Sequence, residues 1–158
     1  MRRNDREIID FDAILSVIEQ CSVCRVAFFD TGHPYIVPLN FGFETQGDEL
    51  TLYFHCASEG KKLDLLRLNN QVAFEMDRPE EFIDGEKACY STMTYLSVCG
   101  TGTITIARED EKIHGLTLLM RQYADKQDII FDEKVLKTVI VLKLQVGRIT
   151  GKQLKPEK

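Results

Sequence analysis

The sequence is short of basic charge, of long apolar runs and of pairable cysteines. Its 20 lysines and arginines are outnumbered by 25 aspartates and glutamates, a net charge of −5. A nucleic-acid binder usually presents a basic face, so this balance argues against one, while leaving room for a small local basic pocket. No apolar run approaches the length of a membrane span, and the opening stretch "MRRNDREIID" lacks the apolar core of a signal peptide. The expectation is a cytoplasmic protein with no membrane partner. The five cysteines are Cys21, Cys24, Cys56, Cys89 and Cys99, an odd number that fits reduced thiols better than a disulfide framework. Cys21 and Cys24 form a C-x-x-C pair, but no second pair or matching histidine pair follows at zinc-like spacing. They read as small buried residues leading into a strand, and no metal site is expected. Nothing resembles a Ser-His-Asp set, and Asp30, Glu75 and Asp77 make no recognisable acid/base pair. Internal repeats, low-complexity segments and linkers are absent as well.

What is present suits one globular domain spanning 1–158. A chain of 158 residues can build a core without staples, and 44% hydrophobic with 28% charged residues is ordinary for such a domain. The spacing of Ile8, Phe11, Ile14, Leu15 and Ile18 predicts an amphipathic helix over about Asp5 to Gln20. "SVCRVAFFD" reads as a strand, "DTGHP" as a turn, and "YIVPLNFGFE" as a second strand with Tyr35, Val37, Leu39, Phe41 and Phe43 on one face. Pro38 removes a ladder donor and therefore places that strand at an edge, at a bulge or open to something other than a strand. "LTLYFH" is a third strand, residues 58 to 68 a helix, and "QVAFEMD" a fourth strand. "RPEEFIDGEKAC" reads as a loop, and "TYLSVCGTGTITIA" as a long strand or hairpin. "REDEKIHGLTLLMRQYA" is a helix with Ile113, Leu116, Leu119, Met120 and Tyr123 inward. "TVIVLKLQVGRI" closes the strands, and "TGKQLKPEK" is a polar tail. Consecutive strands joined by short turns exclude a parallel array. A closed or partly closed antiparallel barrel with peripheral helices, mainly β, fits the pattern.

The chemistry concentrates in "LYFHCASEGKKLDLL". Lys61 and Lys62 fall in the first turn of a helix, beside Gly60, where the macrodipole is already positive. Ser58 is placed to cap that helix, and the remaining first-turn N–H groups point outward. Gly60 lets a ligand approach the backbone without meeting a Cβ. An anion would offset the two lysines, and a phosphate dianion is the obvious candidate. The alternative is that both lysines are simply solvated. In "SVCGTGTITI", period-two alternation puts Gly100 and Gly102 on one strand face, which marks close approach by a ligand or another backbone, or else a bulge. The edge strand "VPLN", Val37, Pro38, Leu39 and Asn40, offers unpaired backbone groups and the Asn40 amide to a flat polar heterocycle. Asn40 could equally be used within the barrel.

Taken together, "CRVAFFDTGHPYIVPLNFGFE", "LTLYFHCASEGKKLDLL", "VAFEMD" and "ACYSTMTYLSVCGTG" resemble the NimA-like proteins. These are flavin-binding split-barrel proteins of the pyridoxamine 5′-phosphate oxidase-like superfamily, associated with 5-nitroimidazole resistance. The resemblance runs from about Arg2 to Tyr123. It implies a six-stranded split β-barrel that forms a homodimer with FMN in clefts between the subunits. By this likeness the turn from His55 to Lys62 would hold the FMN phosphate through His55, Ser58, Lys61 and Lys62. Val37 to Asn40 would lie along the isoalloxazine, and Gly100 would border the partner's flavin. His55 could bond the phosphate or deliver a proton to a bound substrate, its near-neutral titration suiting a reduction; the alternative is a packed or solvent-facing ring. His33 and His114 read as ordinary surface residues. The implied activity is FMN-dependent oxidoreduction, with a nitroimidazole-like heteroaromatic reduced to its amine as a candidate substrate. Two rivals stand beside it: a module that binds FMN or haem without turnover, and an interaction protein on a barrel that has lost its cofactor.

Overall fold

The structure, a computed structural model, describes residues 3–125 and 128–155. Eight strands form one antiparallel sheet: β1 Glu7–Ile8, β2 Cys24–Phe28, β3 Tyr35–Leu39, β4 Gly42–Gln46, β5 Glu49–Ala57, β6 Gln71–Ile83, β7 Thr92–Ile106 and β8 Val139–Leu154. The order is β3-β2-β6-β7-β8-β5-β4, with β1 added on β8. Four helices lie outside it: α1 Phe11–Gln20, α2 Lys61–Leu68, α3 Glu109–Tyr123 and α4 Glu133–Leu136. β3 and β4 are the two edges of the sheet, yet only Asn40 and Phe41 separate them in the chain. A link this short reaches about 10 Å, so the sheet must curl until its edges nearly meet. The expected split antiparallel barrel is therefore the observed architecture, with eight strands in the sheet where the resemblance implied six.

Alternation fills the interior. Val26 and Phe28 of β2, Leu52 and Phe54 of β5, Phe74 and Met76 of β6, Val98 and Ile104 of β7, and Leu142 and Leu144 of β8 meet in one buried cluster. α1 caps it with Ile14, Val17 and Ile18. A smaller outer cluster joins Tyr53 of β5, Val141 of β8 and Leu116 of α3, so β5 is covered on both faces. Among the described residues no helix is long and apolar enough to cross a membrane.

Several boundaries differ from expectation, each for a physical reason. The first helix starts at Phe11, because Asp10 caps it by accepting from the Asp12 and Ala13 amides; Glu7–Ile8 upstream pairs with Lys152 and Gly151 instead. "YIVPLNFGFE" is two strands, and its unbroken alternation hid the crossing because Phe41 in the link is itself fully buried. Pro38 does mark an edge strand. "RPEEFI" continues β6, with a register shift between Pro79 and Phe82. The start of the expected polar tail, Thr150 to Leu154, belongs to β8, while residues 156–158 lie outside the described range. Ile113 and Tyr123, both expected inward on α3, are exposed, while Lys112 and Gly115 are buried. α4 was not anticipated. The cysteines are free thiols, with Cys21 and Cys24 buried as expected.

The link between the edges is fixed from α3. The Tyr123 hydroxyl accepts from the Phe41 amide at 3.0 Å and donates to the Ser22 carbonyl at 2.9 Å. The Phe41 and Tyr123 rings meet edge to face, with centroids 6.5 Å apart. A Cβ on Gly42 would lie 2.6 Å from Leu119 Cα, so only glycine lets α3 sit against β4 here. Gly42→Ala is expected to cost about 1–3 kcal/mol by forcing α3 outward. Tyr123→Phe should likewise cost about 1–3 kcal/mol by leaving the Phe41 amide unsatisfied. Urea unfolding checks both; Leu68→Ser, at an exposed site, should stay within about 0.5 kcal/mol.

Candidate functional site

The turn between β5 and α2 is built differently from a side-chain-capped helix start. Gly60, not Ser58, is the N-cap, at φ 133°, and no side chain caps this end. A positive φ of this size suits glycine alone among the common residues. Nothing lies within 4 Å of where a Gly60 Cβ would be, so the cap faces open space. The Gly60 carbonyl accepts from the Leu63 and Asp64 amides, at 2.9 and 3.4 Å. The Lys61 and Lys62 amides come earlier in the turn and carry the positive end of the dipole outward. Ser58 and His55 are exposed, and Lys62 is half-buried.

Part of the charge puzzle is answered within the chain. Lys61 Nζ lies 2.6 Å from the Asp30 carboxylate and 4.9 Å from the centroid of the Tyr35 ring. The Lys61 hydrogen bond, followed by the Thr31 amide, holds the Asp30 carboxyl below its ordinary value. The pair ties the α2 turn to the loop between β2 and β3. The charge of the half-buried Lys62 partly offsets the rise that burial imposes on the Cys56 thiol.

Asp30 also lines a cavity of about 380 Å³ with Phe29, His33 and Ala73. A second depression, about 430 Å³, shares Ala73 and continues over Gly100, Thr101 and Arg148. The register runs Ile36–Ala27–Ala73–Thr101–Arg148 straight across β3, β2, β6, β7 and β8. The result is a flat trough over small residues on the outer face, with exposed Phe29 and Ile36 beside it. Below the trough, Arg25 bridges Glu75 at 3.0 Å and Asp77 at 2.6 Å. These two acids share a face as their spacing indicated. Burial, with Asp77 close by, outweighs Arg25 and raises the Glu75 carboxyl.

The remaining sequence-derived residues fall in three places. On β3, Val37 and Leu39 pack against the core, while Pro38 faces out. The Asn40 amide donates to the Ser22 carbonyl at 3.2 Å, so it serves the barrel. Gly100 owes its missing side chain to the chain itself: a Cβ would press on the Phe74 ring and, at 2.6 Å, on the Arg148 carbonyl. Gly102 is crowded in the same way by Leu144 and the Gln145 carbonyl, next to a register shift after Thr101. His55 opens onto a separate apolar cavity of about 220 Å³ between α3 and α4, lined by Leu116, Phe131 and Leu136. That cavity shares no lining residue with the trough.

One network escaped sequence reasoning. Glu44 accepts from the Tyr53 hydroxyl at 2.6 Å and meets His114 Nε2 at 2.7 Å. Burial pushes the Glu44 carboxyl up, but these two bonds, with charge from His114 and Lys143, more than reverse that and bring it below its ordinary value. His114 is on the surface, as expected, yet bonded. Glu44 and Tyr53 lie on one hairpin, but no spacing signal connects it to His114, 70 residues away from Glu44.

The Asp30–Lys61 pair yields a titration test. With Asp30 lowered, its stabilising contribution is fully present above 3.8 and fades as pH falls through the folded value. In Lys61→Met the Asp30 carboxyl should move up toward its ordinary value, with the Thr31 amide still holding part of the shift, as followed by carboxyl-carbon NMR.

No curated protein sequence matches the chain. Among solved structures, a candidate 5-nitroimidazole antibiotic resistance protein from Bacteroides thetaiotaomicron aligns with 32% identity over 93% of this chain and 86% of its own, at a TM-score of 0.80. The FAD and heme binding protein from Mycobacterium smegmatis has 19% identity, covering 97% of this chain and 76% of its own, at a TM-score of 0.82. The flavocytochrome Anf3 from Azotobacter vinelandii has 16% identity, covering 99% and 75%, at 0.79. These last two share the fold. The family model for pyridoxamine 5′-phosphate oxidase matches residues 10–153. With the split barrel and the relative from Bacteroides, that match places the chain in the pyridoxamine 5′-phosphate oxidase family.

Proposed function

We propose that the protein is an FMN-dependent oxidoreductase working as a homodimer. Its phosphate site is the first turn of α2, and its ring site lies along the β3 edge. The observation that carries this reading is the uncapped turn at Gly60, open to solvent and flanked by Lys61 and Lys62. A phosphate there would accept the Lys61 and Lys62 amides and a charge-assisted bond from Lys62, with Asp30 holding Lys61 beside it. His55, Ser58 and the acidic Glu59 are the exposed polar side chains preceding the turn.

The β3 edge suits a flat heterocycle. Val37 and Leu39 anchor the strand through the core, which leaves the unpaired backbone and Pro38 outward. A second copy set against the trough would bring Gly100 and Arg148 toward its partner's ring and cover Phe29 and Ile36. When bound, the flavin supplies the electron chemistry; the chain binds it, orients it and excludes water. We assign His55 to proton delivery toward the substrate, on the strength of its exposed ring at the rim of an apolar cavity. A nitro-heteroaromatic substrate draws on the 32% identity to the candidate resistance protein. A second reading, a module that binds FMN or haem without turnover, draws on the same His55 ring and cavity.

The test is to load the protein with FMN, desalt it and record the visible spectrum. A retained two-band flavin spectrum at near-stoichiometric loading supports the proposal, a colourless protein contradicts it, and one intense band favours haem. Lys61→Ala with Lys62→Ala should weaken FMN binding by roughly tenfold or more. Unchanged affinity in that variant argues for a barrel without a cofactor. His55→Gln should leave FMN affinity intact and slow turnover roughly 10²- to 10⁴-fold in a nitro-reduction assay.

A further inference from the structure

We infer that the far end of the barrel holds a second site, one that binds a small organic oxyanion, a carboxylate or phosphate carried on an apolar body. The site is a pocket of about 510 Å³ where the N-terminal segment meets the β6–β7 connection and the end of β8. Arg6 and Lys155 line it, and no carboxylate does among the described residues. Ile83, Tyr90 and Leu154 supply apolar wall, and Thr92 a hydroxyl. The size is that of a small-molecule site, and the lining is more polar than apolar, as suits a ligand with a charged head group. It shares no lining residue with the trough.

Arg6 is the reason to expect an anion. Its Nε is buried and makes no hydrogen bond, the only such buried side-chain nitrogen or oxygen among the described residues. The nearest carboxylate is Asp5, 3.9 Å away, beyond hydrogen-bond reach. Asp5 is instead turned to Arg3, which donates to it at 2.9 and 2.7 Å. The rest of the guanidinium is engaged by the Tyr95 phenol, but a buried Nε–H without a partner is costly, and native structures usually satisfy such a group with a bound water or ion.

The surroundings add positive charge in a chain whose net charge is −5. Lys152 sits 5.8 Å from the centroid of the Tyr95 ring. Burial would raise the Tyr95 phenol, but hydrogen bonding and charge from Arg6 and Lys152 bring it below its ordinary value. On the β6–β7 side the Asp84 carboxylate accepts from the Ser91 hydroxyl at 3.1 Å, behind the wall that Ser91 forms. An oxyanion in the pocket would therefore meet Arg6 as a charge-assisted partner, with Lys155 beside it and its apolar body against Tyr90 and Leu154.

Phenyl phosphate and benzoate test this by ¹H–¹⁵N NMR on the full chain, with and without FMN added. The inference expects saturable shifts at the Thr92 and Leu154 amides, weakened by salt. Arg6→Met should reduce that affinity roughly tenfold, and Lys155→Gln should reduce it less, with the rest of the spectrum unchanged. Shifts from both probes, or from phenyl phosphate alone, support an oxyanion site and separate its two possible head groups. No shift from either probe overturns the inference, and so does an affinity that Arg6→Met leaves unaltered. Because these resonances are read at the far end of β6, the outcome is independent of whether the α2 turn takes FMN.

Discussion

Two residues, Asn40 and Phe41, carry the chain from one edge of the sheet to the other, and much of the molecule follows from that short reach. The sheet has to curl, the interior has to be filled, and the seam between β3 and β4 cannot be zipped by a strand ladder. Phe41 plugs the seam from within, fully buried. The Tyr123 hydroxyl pins it from outside, and Asn40 ties the same link to Ser22. Gln122 extends this anchorage by donating to the Ile18, Glu19 and Cys21 carbonyls at the end of α1. The last turn of α3 thus fastens α1, the entry to β2 and the seam at one place.

The seam also explains where binding surface can exist. β3 pairs only with β2, so its other side keeps backbone groups open. The loop between β2 and β3 brings Asp30 to Lys61, which sets the start of α2 at the end of the trough. Anion-attracting backbone, an open strand edge and a flat outer face are neighbours because the barrel is split rather than closed. Glycine at position 60 and small residues at 27 and 73 keep that surface accessible.

Much of this was legible in the residues. Pro38 gave away the edge strand, alternation identified the barrel, and the glycine with two lysines pointed to the turn at α2. The parts that were not legible depend on distant partners. Nothing local in "PLNFGF" says that the chain changes edges, because burial of Phe41 preserves the alternation. Asp10 outcompeted the apolar stripe in fixing the start of α1, since a satisfied cap decides a boundary that periodicity leaves loose. Ser58 looked like the cap of α2, but the chain reaches helical geometry only after Gly60. Lys61 seemed to need an external anion, and Asp30 met part of that need from across the barrel. The paired glycines of β7 answer to Phe74, Leu144 and neighbouring backbone rather than requiring a ligand.

The central claim is that the start of α2 is a phosphate site built from backbone as much as from lysine. Its most direct measurement is the ¹H–¹⁵N spectrum of the protein titrated with FMN, read at the Gly60, Lys61 and Lys62 amides. A phosphate held there predicts the largest downfield proton shifts and the strongest slowing of hydrogen exchange at those positions. Tight FMN binding that leaves those amides unmoved while others shift would contradict the account.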